Sequence, residues 1–394
     1  MTKAPKKTSA AAGLLPEGLR DLLPPDADHE ASIEAALMAL FGQHGYERVA
    51  PPLVEFEESL ASGMSAAVLR QSFRVMDPIS QRMMAVRADM TPQIGRIAAT
   101  RLAKMPAPLR LSYSGSVLRV RGSQLRPQRE FRQVGVELIG SSAIAADAEV
   151  MLMAAAALRS IGLADLTMDL TMPPLVQALF DADGMDEDLA GRLRAALDRK
   201  DAPAVEAIGG RMGGTLAALL AGAGPYASCA ACLRAIDLPG PAAQARDRLL
   251  GVADAVTKSL PDLRVSIDPV ENRGFEYHTG VTFTLFARGV RAELGTGGRY
   301  VVDVPGAKEQ LPATGFTLFL DSLRRAAPPP PVRRRVYVGS DVAEAEAGRL
   351  REQGFVTVRG LDGGGHDLAE ARRLRCTHVW CAGKAVEIDE HRGS

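Results

Sequence analysis

Residues Pro328 to Pro331 are consecutive prolines. No helix interior or central strand runs through such a segment, because each residue fixes φ and lacks a backbone N–H. The run stiffens the backbone and marks a linker over 326–331. It divides the 394 residues into a long part, 13–325, and a short one, 332–394. At ~150 residues per domain the length allows two or three domains. A hydrophobic content of 46% supplies real cores and excludes wholesale disorder. Residues 1–12 carry three lysines with no apolar segment after them, and read as a disordered leader, not a signal peptide.

Several function classes fall away on charge and hydropathy. Lys+Arg and Asp+Glu are 47 each, so the net charge is zero. A protein that coats nucleic acid needs excess cation, although a local basic groove remains compatible with this balance. No apolar run reaches the ~18 residues of a membrane span. The best candidate, Val150 to Leu158, is closed by Arg159. Four cysteines are too few for a disulfide scaffold, so a reducing, cytoplasmic location is expected.

The first strong helix is expected over about Glu30 to His44, with Ile33, Leu37, Leu40, Phe41 and His44 on one face. This places His44 in the core. Tyr46 to Val54 is a proline-interrupted extended stretch, and Arg74 to Arg87 reads as a hairpin with Asp77-Pro78 in the turn. Leu109 to Val120 and Gln133 to Ile139 read as strands joined by a polar loop, Arg121 to Arg129. In the second, Val134, Val136 and Leu138 alternate with Gln133, Gly135 and Glu137, so one face is core and the other carries polar groups. Val150 to Ile161 is a buried helix. About 172–260 is Ala/Leu-rich and reads as a separate helical insertion. Strands return at Arg264 to Ile267, Val281 to Arg288 and Val290 to Gly295. Beyond the prolines the pattern is β-α-β-α-β. The fold class is α+β, with an antiparallel sheet flanked by helices and a small C-terminal α/β module.

Most familiar constellations carry little. Cys229-x-x-Cys232 lacks two further zinc ligands at matching spacing, and buried small apolar side chains explain it better. Gly363-Gly364-Gly365 lacks the Lys-Ser/Thr of a P-loop and reads as a βα turn. No serine lies in G-x-S-x-G, and no H-x-x-x-H pair occurs. The richest segment is Tyr113 to Glu137. Arg119 and Arg121 share strand parity, as do Gln133 and Glu137. Such arginines clamp a phosphate or carboxylate, and Glu137 accepts hydrogen bonds from an N–H-bearing ligand. The same pattern also fits a solvated strand face with a salt bridge. Two further clusters, Asn272 to Gly280 and Gly295 to Tyr300, place glycine beside Arg, Tyr and His. They fit a ligand approached by backbone, or ordinary hairpin turns.

Taken in order, these segments resemble the core of class II histidyl-tRNA synthetases over about Leu14 to Leu323. Gly45 to Glu55 is similar to the dimer-forming motif 1, and Tyr113 to Glu137 to motif 2. Arg273 to His278 resembles the family's R-G-L-D-Y-Y, and Gly297-Gly298-Arg299-Tyr300 resembles G-G-R-Y-D. Thr314 to Leu323 occupies the place of motif 3, but Ser322 stands where the ATP-binding arginine belongs and Phe319 fills a glycine position. Arg121 replaces the glutamate of motif 2 that serves ATP. The part after the prolines is shorter than the family's anticodon-binding module.

The resemblance implies a histidine pocket. Asp89, Thr91 and Gln133 would hold the α-amino group, and Glu137 would face the imidazole. Arg273 would face the carboxylate, with Arg119 close by. His278 replaces the family's second tyrosine, with Tyr277 beside it. A synthetase core that keeps this pocket and loses its ATP and tRNA elements is similar to the regulatory subunits of ATP phosphoribosyltransferase. That implies no catalytic residues, no cofactor, no metal and no tRNA. The implied partner is the short-form catalytic subunit in a hetero-octamer, with self-dimerisation through the motif 1 region and histidine as ligand and feedback inhibitor. A divergent histidyl-tRNA synthetase, an aminoacyl-transferring paralogue and a stand-alone histidine sensor are the competing readings.

Overall fold

A computed structural model describes residues 14–61, 69–123, 126–271, 277–361 and 367–388. The leader, Arg273 and the Gly363–Gly365 run lie outside the described residues. The chain forms two compact units, Met1–Pro328 and Pro329–Ser394, which meet inside the proline run.

The first unit is built on a nine-stranded sheet. Its strands are β1 (Glu47–Arg48), β5 (Leu109–Leu118), β6 (Glu130–Ile139), β7 (Leu166–Thr171), β8 (Gly224–Pro225), β9 (Arg264–Asp268), β10 (Thr282–Ala287), β11 (Gly295–Asp303) and β12 (Gln310–Phe319). The spatial order is β1-β5-β6-β12-β11-β10-β7-β9-β8. The run from β5 to β7 is antiparallel throughout, while β1 on β5 and β9 on β7 are parallel. The remaining strands, β2 (Val54–Phe56), β3 (Arg74–Met76) and β4 (Met83–Val86), make a small separate sheet. In it β3 and β4 form the expected hairpin around Asp77-Pro78.

Helices cover the large sheet. On one face Val134, Val136, Leu138, Phe316 and Leu318 pack with α1 (Asp26–Gln43) and α4 (Ile144–Ser160). Phe41 meets Phe316 edge to face at 5.8 Å. On the other face Leu111, Tyr113, Phe131, Tyr300 and Phe319 pack with Met90 and with Ile94 of α3 (Thr91–Thr100). Short α2 (Glu57–Ala61) follows β2. The alternation along β6 therefore does not divide core from solvent; it divides two buried layers, and Gln133 and Glu137 are each only 1% exposed.

Several expectations need correction. Helix α1 starts four residues before Glu30, with Pro25 at its N-cap and Asp26 and Asp28 placing negative charge in the first helical turn. It ends at Gln43, so His44 caps the helix and is exposed instead of packing in the core. Residues 290–294 are not a strand; β11 begins at Gly295 and runs through the Gly-Gly-Arg-Tyr segment to Asp303. Between 172 and 260 lie six helices, α5 (Pro173–Asp183), α6 (Glu187–Asp198), α7 (Ala202–Ile208), α8 (Gly213–Ala221), α9 (Tyr226–Ala235) and α10 (Gly240–Ser259). Asp186 and Asp201 cap α6 and α7 by accepting the Leu189 and Ala204 N–H groups. This region is not separate: Leu175, Phe180, Leu193 and Leu249 share one continuous core with Met168 and Phe283, and β8 extends the main sheet.

The second unit contains β13 (Arg335–Val338), α12 (Glu344–Glu352), β14 (Val356–Arg359), α13 (Leu368–Arg373), β15 (His378–Cys381) and β16 (Lys384–Glu387). Strands β14, β13 and β15 are parallel, and β16 adds an antiparallel edge. The β15–β16 turn, Ala382-Gly383, has both φ values positive, as a two-residue hairpin requires. Two small apolar clusters, around Tyr337 and around Val336, cover the two faces of this sheet.

Candidate functional site

The first layer of the site comes from β6 and its neighbours. Glu137 lies opposite Leu111 of β5 and Gly315 of β12. A side chain at Gly315 would overlap the Glu137 carboxylate, so glycine there makes the space that Glu137 fills. Gly135, on the same strand, is equally needed: a Cβ would collide with the Phe316 carbonyl oxygen and the Tyr113 ring.

The Glu137 carboxylate sits among three hydroxyls. Thr91 donates to Oε1 at 2.9 Å, Tyr113 donates to Oε1 at 3.2 Å, and Tyr300 donates to Oε2 at 2.9 Å. Burial pushes its pKa up to about 8, and the charge of Asp89 acts in the same direction. The three hydroxyls oppose that rise without cancelling it. Tyr113 also exchanges a hydrogen bond with Thr317 at 2.7 Å. Burial and the neighbouring Glu137 hold both tyrosine hydroxyls well above their ordinary range, so they remain donors.

A cavity of about 590 Å³ opens onto this group. It brings together Asp89, Thr91, Arg119, Gln133, Glu137, Tyr277 and His278, seven of the eight residues expected from sequence; Arg273 lies outside the described residues. Asp89 precedes α3 and accepts the Thr91 N–H at 3.2 Å, which sets the Thr91 hydroxyl toward Glu137. Gln133 accepts the Met90 N–H at 3.0 Å and thereby ties β6 to the same turn. Tyr277 packs against His278 with ring centroids 3.9 Å apart and planes tilted by 34°, and meets Tyr300 edge-on at 6.3 Å. Arg119 donates to the Ala88 carbonyl through Nε and lies over Phe131. No carboxylate among the described residues pairs with Arg119 or with Arg121, which also lines the cavity.

This lining combines acceptors, hydroxyls and the guanidinium groups of Arg119 and Arg121 in one cavity. It can hold a small molecule that bears an ammonium, a carboxylate and a ring N–H. Tyr113, Tyr300 and Thr317 also belong to the site; the two tyrosines lie in segments singled out from the sequence, but none of the three was named as a pocket residue. Tyr113 stands opposite Gly135 across β5 and β6, a register that only the structure gives, and Tyr300 ends the Gly297-Gly298-Arg299-Tyr300 segment. What the sequence lacked was the adjacency of β6 to β12 and of β12 to β11.

The far end of the cavity departs from the expected loss of a cation. Ser322 is fully buried at the start of α11 (Leu320–Ala326). Arg126, from the loop between β5 and β6, reaches it through Nη2 at 3.5 Å. Its guanidinium lies 3.6 Å from the Phe319 ring centroid and 4.8 Å from that of Phe131. Cations thus occupy this region after all: Arg126, delivered by the loop, and Arg325 of α11, which donates to Ser322 Oγ at 3.3 Å. Among the described residues no cluster of His, Cys, Asp or Glu could hold a metal ion; Cys229 is buried and Cys232 exposed.

Comparison with known proteins fits this geometry. A family model described as histidyl-tRNA synthetase matches residues 18–323. An ATP phosphoribosyltransferase regulatory subunit of Rhodospirillum centenum is 53% identical over 99% of this chain and 100% of its own length. A protein of the same description from Gluconobacter oxydans is 45% identical over 95% of this chain and 97% of its own. A solved structure from Bacillus halodurans, described as an ATP phosphoribosyltransferase regulatory subunit/histidyl-tRNA synthetase, shares the fold with a TM-score of 0.76. It is 24% identical and covers 92% of this chain and 96% of that one. The chain belongs to the histidyl-tRNA synthetase-like family of ATP phosphoribosyltransferase regulatory subunits.

Proposed function

We propose that this chain is a regulatory subunit of ATP phosphoribosyltransferase that performs no chemistry itself and acts in the first step of histidine biosynthesis. Its partner is the short-form catalytic subunit, assembled with it as a hetero-octamer in the cytoplasm. A solved structure from Thermotoga maritima, described as an ATP phosphoribosyl transferase (HisG:HisZ) complex, shares the fold, with a TM-score of 0.57 over 74% of this chain. Self-association runs through the motif 1 region; β1 is the end strand of the large sheet, which leaves its outer edge for a second copy.

The observation that carries the reading is one cavity in which Asp89, Thr91, Gln133 and Glu137 gather beside Arg126, while Ser322, buried behind Arg126, stands where the family has its ATP-binding arginine. Histidine is the ligand. Its ammonium meets Asp89 with Thr91 and Gln133, its ring N–H meets Glu137, and Arg119 faces its carboxylate with Arg273. Tyr277 and His278 close the ring side. Binding that favours one assembly state over another couples this pocket to the catalytic partner.

The test is ATP phosphoribosyltransferase activity of the purified short-form catalytic subunit, with and without this chain, followed by a histidine titration. Activity that rises on addition and falls with histidine is expected. No change in activity and no complex would overturn the reading, and histidine-dependent ATP–pyrophosphate exchange on the chain alone would replace it with a divergent synthetase.

A further inference from the structure

Arg126 is 6% exposed, yet it is poorly paired. Its Nε lies 3.5 Å from Asp321 Oδ1, and its Nη2 lies 3.6 Å from Glu293. Both the Nε and Asp321 Oδ1 are buried without a hydrogen bond. A structural arginine in the same molecule looks different: Arg299 engages Asp147 at 2.7 and 2.8 Å. Beyond these and a long Nη2 bond to Ser322 Oγ at 3.5 Å, what holds Arg126 is stacking on Phe319 and Phe131. Around it are an aromatic ring at 3.6 Å and two carboxylates able to accept N–H groups. That is a slot for a planar, N–H-bearing group, and a planar, N–H-bearing group from the chain itself is in it.

The loop is built to deliver it. Ser123 and Arg126 bond to each other twice, the Arg126 N–H to Ser123 Oγ at 3.0 Å and the Ser123 N–H to the Arg126 carbonyl at 2.7 Å. Gly122 allows the chain to approach Pro127, since a Cβ there would overlap the Pro127 carbonyl oxygen.

We propose that Arg126 is a specificity-determining plug: it fills, in cis, an aromatic slot contiguous with the polar end of the cavity, so that the cavity admits a small zwitterion and excludes a second, planar heterocyclic group. The inference rests on the reading of this cavity as an amino-acid site.

The experiment titrates adenosine and, separately, histidine into the full chain and into Arg126→Ala, Arg126→Met and Gly122→Ala, by calorimetry. Adenosine is the probe because it is planar, bears N–H groups and carries no phosphate that Arg121 could attract. Wild type is expected to bind it weakly or not at all. Arg126→Ala should tighten adenosine binding by about tenfold or more, and Arg126→Met, whose stem still fills the slot, should not. Gly122→Ala displaces the Arg126–Pro127 backbone without removing a charge, and should also admit adenosine if Arg126→Ala fails to fold. Adenosine binding by wild type as tight as by the variants would overturn the plug. So would folded Arg126→Ala and Gly122→Ala proteins that still exclude it. Histidine binding reads the other proposal: its absence in wild type would remove the amino-acid ligand while the adenosine comparison still reports on the slot.

Discussion

Glu137 carries its proton up to about pH 8 in the folded chain, whereas an unfolded carboxyl releases it near pH 4.5. Between those values the folded state binds more protons than the unfolded one, so stability falls as pH rises through this window and levels off above it. Thermal melts of the free protein from about pH 6 to about pH 9 should show that decline, and Glu137→Gln should flatten it. A ligand N–H that meets the carboxylate changes the balance in favour of its charged form. Glu137→Ala removes that acceptor and is expected to weaken histidine binding by about tenfold or more, read by calorimetry; unchanged affinity would take Glu137 out of the pocket. At this scale much was legible. Strand parity alone put Gln133 and Glu137 on one face, and resemblance supplied Asp89 and Thr91. Tyr113 and Tyr300 were not legible as site residues, because a tyrosine on a strand is usually core and only the neighbouring strands show where its hydroxyl goes.

Elements were read less evenly than residues. The β3–β4 hairpin and the β-α-β-α-β pattern after the prolines follow from local turn chemistry and periodicity, and both are present. Strand β11 was misplaced by several residues because Gly297-Gly298 suggests a turn; within this sheet the glycines are required by close packing against Phe283, Thr282 and His278. His44 was misread for a related reason. Helical spacing cannot tell where a helix ends, and one residue beyond Gln43 the apolar face no longer exists. The element with the most to lose from one substitution is α4. Asp147 in its first turn is 1% exposed and pairs with Arg299 and Arg248 together. Asp147→Ala strands the buried Arg299 and should cost about 3 kcal/mol in denaturant unfolding. Arg248→Ala should cost clearly less, since Arg299 still neutralises the carboxylate.

For the whole molecule, the proline run separates two units that each own their apolar clusters. A chain ending at Pro328 is therefore expected to fold, with a single cooperative melt near that of the first transition of the full protein. A chain of that length that is molten or aggregated would show that the units depend on each other. Recovery of nucleotide chemistry is a whole-molecule matter too. Ser322→Arg alone should give no histidine-dependent ATP–pyrophosphate exchange. Arg121 keeps the wrong charge for magnesium, and Arg126 with Phe319 already occupies the neighbouring space. Robust exchange in that variant would show that one residue had been holding back an otherwise intact synthetase site.

Strand β11 has a consequence of its own. Tyr300 reaches one face of the sheet and grips Glu137, while Arg299, its immediate neighbour, reaches the other face and grips Asp147 at the start of α4. One peptide unit separates the two grips, and antiparallel neighbours hold that unit on both sides. The strand cannot slide or roll to suit one contact without straining the other. Floor and ceiling of the domain are in this way pinned by the same nail.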